Sequence, residues 1–351
     1  MPKETMTGRE RWLAVLQRKQ PDRIPMDYWA TPEATENLCR HLGCDFDAAC
    51  ERLHIDLPLT IAGRYAGPPI AGNRDVFGVV FQSVEYGAGV YNERISAPLA
   101  QFNSVEEIEA NYTWPSPDWW DYSHLPREIR SMEHRIVRGG GSEPFLRYAM
   151  LRGDEQAYLD LILNPDIVHY CLENLFELAY QDTLRIFEAV PGAVSITYVA
   201  EDLGGQESLL FSQEHIREFL LPGMKRMMEL TRQHGSFVFT HSDGAVREII
   251  PDLIATGTQI LNPIQWRCAG MDRAALKRDF GARLLFHGAM DNQQTLPFGS
   301  VKDVQREVIE NIGILGAGGG YILCPCHNIQ AITPPENIVA MYETGRAEGW
   351  T

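Results

Sequence analysis

Side chains of the kinds that bind metals or move protons follow four short apolar segments in the last third of this 351-residue chain. Those segments are 237–240, 259–261, 284–286 and 321–323. Short apolar runs bounded by polar residues and followed by helical patterns predict buried parallel strands. The polar residues that follow them are His241, Asp243, Asn262, Gln265, Asp291, Cys326 and His327. Because the carboxyl ends of parallel strands share one rim of an α/β fold, these side chains should meet there, which favours an enzyme.

His241 and Asp243 form the pair with the clearest chemistry. Side chains at positions i and i+2 of a strand face the same way, so both could point into the mouth of the fold. A neutral imidazole and a carboxylate can bind a divalent metal, with a third ligand from Cys324, Cys326 or His327. The alternative is that Asp243 caps the following helix and that His241 is a hydrogen-bonded core residue.

Cys324-Pro325-Cys326-His327 ends the last predicted strand. Its CxC pair differs from the CxxC spacing of zinc ribbons and redox sites. If the strand continues through Pro325, Cys324 and Cys326 share one face and His327 takes the other, so only one set points inward. The alternative is that both cysteines pack as small hydrophobic residues.

Glu201 and Asp202 close the predicted strand 194–199. Either could act as a general acid, a general base or a substrate anchor, and the alternative is a carboxylate that complements a helix dipole.

Asp56 lies within the predicted strand 55–61, where an unpaired carboxylate is costly. We interpret it, with nearby Tyr65, as a substrate-binding residue. The remaining hydrogen-bonding candidates for substrate are Asn262, Gln265 and Asp291.

Alternating strand and helix patterns run to the end of the chain without a linker and predict one α/β domain over residues 1–351. Barrels of eight βα units need roughly 250 residues, which leaves room for an N-terminal helical extension and an insertion. The insertion covers about residues 63–122, where glycine, proline and aromatic residues dominate and a β-hairpin is predicted from 79–84 and 90–95. We therefore predict a (β/α)8 TIM barrel.

The charge balance excludes several classes of partner. The formal net charge is −16, with no dense Lys/Arg run, so nucleic acid and anionic membrane surfaces are not expected to bind.

The charged start does not look like a secretory signal, and no apolar run reaches the ~18 residues of a transmembrane helix. Seven cysteines in a long chain favour a reducing cytoplasm over a disulfide framework.

Several motifs resemble the uroporphyrinogen decarboxylase superfamily, which implies a (β/α)8 barrel across most of the chain. The matching motifs are PDRIP at 21–25, THSDG at 240–244, ILNPIQ at 260–265, GGYIL at 319–323 and HNIQAITPPENI at 327–338. In the decarboxylase branch, His327 falls where that branch has an active-site histidine. Residues 27–33, however, lack the arginine with which the decarboxylase grips the acidic arms of its tetrapyrrole. Pairing several carboxylates without such cations would be costly.

The methyltransferase branch of the superfamily typically binds zinc through a His-x-Cys motif and a later cysteine. His241 matches the first ligand, Asp243 replaces the first cysteine, and His327 or Cys326 falls near the second. The resemblance implies a Zn²⁺-dependent enzyme that moves a methyl group between a small O- or N-methylated compound and a corrinoid (cobalamin) protein. Glu201 or Asp202 would then position substrate or move a proton.

Two rival functions remain open at this point. One is metal-free decarboxylation of a porphyrinogen or a smaller acid, with Asp56 and His327 as the acting residues. The other is a non-catalytic tetrapyrrole- or corrinoid-binding protein on the same barrel. The aromatic loop 114–120 also offers a surface for a homodimer.

Overall fold

The computed structural model describes residues 3–85 and 90–351. In those residues a sheet of seven strands runs in the order β1, β6, β7, β8, β9, β10, β11, and all of its neighbouring strands are parallel. The strands are β1 (Leu59–Ile61), β6 (Val137–Ser142), β7 (Ile196–Val199), β8 (Phe237–His241), β9 (Ile260–Asn262), β10 (Leu285–Met290) and β11 (Tyr321–Pro325). The predicted α/β barrel class is confirmed.

Segment 24–30 closes this sheet into a ring. It pairs in parallel with the chain around β11 through Met26 with Leu323 and Ala30 with Ile329. On its other side, the amide of Asp56, just before β1, donates to the carbonyl of Met26. The sequence pattern of residues 24–29 predicts a first strand, and in the structure this segment lies between the two edges of the sheet, with backbone hydrogen bonds to both.

Helices cover the outside of the ring, as right-handed crossovers between parallel strands require. The helices are α1 (Gly8–Leu16), α2 (Pro32–Leu42), α3 (Phe46–Arg52), α4 (Val105–Asn111), α5 (Leu125–Ser131), α6 (Pro144–Arg152), α7 (Asp154–Leu163), α8 (Pro165–Ala189), α9 (Gln213–His215), α10 (Leu221–Gln233), α11 (Ile250–Thr256), α12 (Arg273–Phe280), α13 (Thr295–Phe298), α14 (Val301–Leu315) and α15 (Pro335–Glu348). A π-helical turn, Ile216–Leu220, joins α9 to α10. Across 3–85 and 90–351, the structure has no helix with the length and apolar character that crossing a bilayer would demand.

The inserted region lies between β1 and α5. It contains the two-stranded antiparallel pair of β2 (Arg64–Tyr65) and β5 (Trp120–Asp121). It also contains the predicted hairpin, observed as β3 (Phe81–Glu85) and β4 (Val90–Arg94) in antiparallel register. The hairpin turn, residues 86–89, lies outside the described residues.

Helix α1 closes the end of the ring where the strands begin. Its Trp12 packs in a buried cluster with strand residues that include Ile196, Phe239 and Ile322. The Trp12 indole N–H donates to the carbonyl of Asp56 at 2.8 Å. The opposite end, where the strands finish, is therefore the one left open for ligands.

Candidate metal centre and cavity

A cavity of about 680 Å³ opens at the carboxyl ends of the strands. Its walls include Trp29 of segment 24–30, Tyr198 of β7, Asp202, His241 of β8 and His327 after β11. A second cavity of about 390 Å³ adjoins it, shares Glu143 and Leu146 with it, and extends between the insertion and α8. The strand ends thus meet around one space, as parallel topology requires.

The predicted metal ligands gather at the edge of this cavity. One ligand-type atom from each of His241, Asp243 and His327 lies within 4.8 Å of the others. The Nε2 atom of His241 is 3.8 Å from Asp243 Oδ1 and 3.6 Å from Asp202 Oδ1. Two imidazoles and a carboxylate around a solvent-facing space resemble the three protein ligands of catalytic zinc sites, which keep one position open.

The carboxylate of Asp243 supports the fit of a cation at this place. Its Oδ1 atom is buried and has no hydrogen-bond partner among the described residues. Burial raises the pKa of Asp243, the carboxylate of Asp202 adds to the rise, and His241 and His327 oppose it. A buried carboxylate oxygen without a hydrogen-bond partner, facing an imidazole lone pair, destabilises the fold unless a cation lies between them.

A chain of buried hydrogen bonds fixes the orientation of His241. Its Nδ1–H donates to Asn262 Oδ1 at 2.6 Å, and Asn262 Nδ2 donates to His287 Nδ1 at 2.7 Å. His287 Nε2–H then donates to Asp27 Oδ2 at 3.1 Å. Asn262 has one acceptor oxygen and one donor nitrogen, so the hydrogen bonds along this chain can run in one direction. In that direction His241 carries its proton on Nδ1, and the lone pair of Nε2 faces Asp243.

A second group with metal-ligand atoms, Asp27, His287 and Cys324, is fully buried inside the ring. Both nitrogens of His287 already have hydrogen-bond partners in Asn262 and Asp27. Burial raises the pKa of the Cys324 thiol well above its usual value, which disfavours the thiolate that a metal needs. We therefore assign this group to the support of His241 rather than to a metal.

Cys326 and His327, which follow Pro325, do not keep the alternation expected for a continuing strand. Strand β11 ends at Pro325, and the chain turns at Cys326 and His327. The Cys326 thiol donates to the carbonyl of Ile264 and is buried, with its pKa well above the usual value because of that burial. The thiol of Cys326, the alternate ligand predicted from the sequence, is thus directed at Ile264, whereas His327 joins His241 and Asp243.

Glu201 and Asp202 have separate environments. Asp202 lines the cavity, and its Oδ1 accepts the Asp243 amide at 3.1 Å. Glu201 is only 1% exposed, and both of its oxygens accept the Phe145 amide in the first turn of α6. Burial raises the pKa of Glu201 well above its usual value. Glu201, predicted as catalytic, is thus bound to a helix N-terminus behind the cavity wall.

Of the predicted substrate-binding residues at the strand ends, none points freely into the cavity. Asn262 holds His241, as described above. Gln265 accepts the Gly244 amide at 2.7 Å and so supports the turn that carries Asp243. Asp291 accepts the amides of Gln293 and Thr295 at the start of α13 and pairs with Arg267.

Asp56 and Tyr65 lie away from the cluster. Asp56 precedes β1 at the end closed by α1, where Arg11 and Arg23 both pair with its buried carboxylate. Tyr65 is partly exposed on β2, and its hydroxyl donates to the carbonyl of Pro68 at 2.7 Å. A carboxylate held by two guanidinium groups has little capacity left for substrate, so the structure assigns Asp56 to the closed end of the ring.

Two residues of the cavity wall were missed in the sequence. Arg138 and Glu143 flank the glycines of β6, where a register shift lies between Arg138 and Gly141. Gly141 has φ 138°, and a Cβ on it would stand 1.9 Å from the carbonyl oxygen of Tyr198. A charged residue on each side of a glycine run at a strand end was the signal that could have identified them.

Comparisons with known proteins agree with this architecture. A methyltransferase from Methanosarcina mazei matches with a TM-score of 0.70 over 97% of this chain and 99% of that chain, at 17% identity. At that identity the likeness shows the fold alone. A uroporphyrinogen decarboxylase from Hamiltonella defensa is 25% identical over 209 residues, 58% of this chain and 52% of that protein. The chain thus spans about half the length of this curated relative.

The sequence model of the uroporphyrinogen decarboxylase (URO-D) family matches residues 136–347. That range begins immediately before β6 and includes every strand from β6 to β11. It also includes His241, Asp243 and His327, whose ligand atoms converge at the cavity. With more than half of its length matched, the chain belongs to the uroporphyrinogen decarboxylase family.

Proposed function

We propose that this protein is a metal-dependent methyltransferase that moves a methyl group between a small O- or N-methylated compound and a corrinoid protein. The observation that carries the proposal is the convergence of His241, Asp243 and His327 at the edge of an open cavity, with Asp243 Oδ1 unpaired among the described residues. The methyltransferase with the same fold adds support.

His241, Asp243 and His327 would hold the metal, for which we expect Zn²⁺. When bound, it supplies a Lewis acid that polarises an ether or alcohol oxygen. This ligand set has more nitrogen and oxygen than the sulfur-containing sites of related methyltransferases, so it suits oxygen leaving groups better than thiols.

The chain's own residues prepare the reaction around that place. The C–O bond of the substrate breaks, its oxygen keeps the bonding pair, and the methyl group passes to cobalt(I) of the acceptor, which provides the new electron pair. The oxygen then takes a proton. Asp202 lines the cavity 3.6 Å from His241 Nε2, where it can position the substrate or move that proton.

Elemental analysis of the purified protein tests the metal assignment. We expect about one zinc per chain in the wild type and its loss in His241→Ala and Asp243→Asn. His169→Ala is the matched control, because this exposed histidine lies on α8, where it contacts Glu218 and Phe219. Unchanged metal content in both site variants would overturn the assignment.

An activity measurement tests the chemistry. Purified protein, a reduced corrinoid and methoxylated or N-methylated compounds should give the absorbance change from cobalt(I) to methylcobalt. His327→Ala should abolish it. Corrinoid binding without any methyl transfer would instead favour the non-catalytic alternative.

Decarboxylation of uroporphyrinogen is the rival that the family name raises. Arg138 is the only guanidinium or ammonium group along the described wall of the 680 Å³ cavity, and Glu143, Asp182 and Asp202 share that wall. A substrate with several carboxylates would face these acids with a single cationic side chain. We therefore expect no carbon dioxide from uroporphyrinogen, and its release at the rate of a true decarboxylase would contradict the proposal.

A further inference from the structure

Arg138 extends from β6 into the interior of the ring and lines the large cavity. Its Nε donates to Thr60 Oγ1 at 3.2 Å, and its Cζ lies 5.5 Å from the centre of the Trp29 ring. The side chain is 17% exposed. These contacts hold the stem and one edge of the guanidinium group where the residue lines the cavity.

The nearest acid does not accept a hydrogen bond from the terminal nitrogens of Arg138. Arg138 Nη1 is 3.8 Å from Asp27 Oδ2, which exceeds hydrogen-bond distance. Asp27 already accepts hydrogen bonds from the Tyr28 amide, the Trp29 indole and His287. In the part of the chain that the structure describes, neither terminal nitrogen of Arg138 donates a hydrogen bond to another residue. Arg138 therefore forms an ion pair with Asp27 at 3.8 Å without a hydrogen bond, and its terminal nitrogens keep their capacity to donate.

Trp29 contacts both Arg138 and the candidate metal centre. Its ring centre is 5.9 Å from that of His241 and 5.5 Å from Arg138 Cζ. All three residues line the same cavity. A small molecule lying along Trp29 could touch both ends at once.

We propose that Arg138 is a subsite for a carboxylate, and that the methylated substrate is a small carboxylic acid whose methyl-bearing end lies toward His241. A guanidinium group with both terminal nitrogens free pairs with a carboxylate through two parallel hydrogen bonds. This inference rests on the proposed function for the identity of the other end. The subsite itself depends only on Arg138 and the cavity.

The charged side chains around the cavity determine the orientation in which such a substrate binds. Asp202 and Asp243 lie beside His241, and Glu143 is near enough to both for their charges to raise its pKa, in addition to the larger effect of burial. These acidic side chains disfavour a further carboxylate at that end unless it binds the metal directly. Asp182 is further along the wall and accepts a hydrogen bond from Tyr122 at 2.6 Å. Arg138 is therefore the place in the described wall where a negative group meets a cationic side chain away from the proposed metal.

Isothermal titration with matched ligand pairs tests the subsite without methyl transfer. The probes are 4-methoxybenzoate beside 4-methoxybenzyl alcohol, and methoxyacetate beside 2-methoxyethanol. We expect at least one carboxylate to bind about ten- to a hundredfold more tightly than its alcohol, as for a hydrogen-bonded charge pair. The preference should persist in His241→Ala, which excludes direct binding of the carboxylate to a metal and keeps this test separate from that of the proposed function.

Arg138→Gln should remove the preference by weakening the carboxylate and leaving the alcohol unchanged, and Arg138→Lys should retain part of it. Arg147→Gln is the matched control, because Arg147 lines the adjoining cavity but pairs with Asp75 at 2.6 Å. Its carboxylate affinity should equal that of the wild type. The proposal is overturned if neither carboxylate binds better than its alcohol, or if folded Arg138→Gln and Arg138→Lys both keep the full preference.

Discussion

The orientation of one imidazole decides whether His241 can act as a ligand. A neutral histidine has one donor and one acceptor nitrogen, and the hydrogen bond at one of them fixes the role of the other. Here Asn262 accepts from Nδ1, so Nε2 carries the lone pair that faces Asp243. Asn262 cannot turn over without losing its bond to His287, which in turn is held by Asp27.

Replacing Asn262 by leucine should therefore weaken metal binding rather than merely loosen the core. The Nδ1–H of His241 would lose its acceptor, and the ring could rotate or change tautomer. Loss of such supporting hydrogen bonds lowers metal affinity about 10–100-fold. Competition with a chromophoric zinc chelator would measure the change.

Asn337→Leu provides the comparison for the Asn262 variant. Asn337 is also buried, and its amide donates to the carbonyls of Leu296 and Gly299 away from the cavity. We expect it to lower the unfolding temperature with zinc affinity unchanged. Equal losses of zinc affinity in both variants would mean that Asn262 acts only through stability.

Glu201 gives a prediction about pH, because burial raises its pKa well above the usual value. Below the pKa of this carboxyl in the unfolded chain, about 4.3, the carboxyl is protonated in both the folded and the unfolded state. In that range it does not make the free energy of unfolding depend on pH. Above it, the unfolded state loses the proton first, so the free energy of unfolding falls as pH rises toward the folded pKa. Glu201→Gln keeps an acceptor for Phe145 and removes this fall.

Thermal unfolding between pH 5 and 8 would measure the difference for Glu201→Gln. The variant should gain stability relative to the wild type as pH rises, and its methyl transfer should be preserved if Glu201 only supports α6. A loss of activity by several orders of magnitude with stability unchanged would restore Glu201 to the catalytic role that the sequence suggested.

At the scale of the elements, the strand ends were the most predictable part of the molecule. The apolar runs before His241 and Asn262 became β8 and β9, because buried parallel strands need continuous apolar residues. The pattern of residues 33–53 predicts one helix, but the structure has two, since Gly43 adopts φ 68° and ends α2. The pattern of residues 155–189 predicts a mostly helical segment, which the structure divides into two helices at Asn164 and Pro165.

The side-chain contacts of residues that follow the strands could not be predicted from the sequence. Strand alternation holds only while the strand continues, and β11 stops at Pro325, so the directions of Cys326 and His327 depend on the turn. The support of His241 by Asp27 and His287 is a tertiary contact between segments far apart in the chain. Patterns of single segments contain no information on such pairs.

The closed end of the ring gives a prediction at the element scale. Arg11 of α1 and Arg23 both pair with the buried carboxylate of Asp56, and Arg11 also pairs with Asp22 at 2.7 Å. Asp56→Asn would leave two buried guanidinium groups without their shared counter-charge. We expect a loss of about 3–5 kcal/mol in the free energy of unfolding, measured by urea denaturation.

Asp272→Asn is the control for Asp56, because Asp272 is the exposed cap of α12 and asparagine caps a helix about as well. Its stability should hardly change. In the folded fraction of Asp56→Asn, KM for the methylated substrate should equal that of the wild type. A raised KM would return Asp56 to the substrate-binding role.

The proposed metal centre connects parts of the whole molecule that the chain places far apart. His241 and Asp243 follow β8, and His327 follows β11, the strand that pairs with segment 24–30 to close the ring. A ligand that binds only the folded chain stabilises it, by about 2.7 kcal/mol at a free concentration of 100 times Kd. Zinc should therefore raise the unfolding temperature of the entire barrel.

This stabilisation should be absent in His327→Ala and intact in His169→Ala, when both are measured by calorimetry with and without a chelator. It should also grow with pH, because Asp243 must lose its proton to bind a cation and burial raises its pKa. Equal stabilisation of wild type and His327→Ala would mean that zinc binds somewhere else. If zinc raises the unfolding temperature only when His241, Asp243 and His327 are all present, the same three residues both stabilise the closed ring and hold the metal that is proposed to activate the substrate.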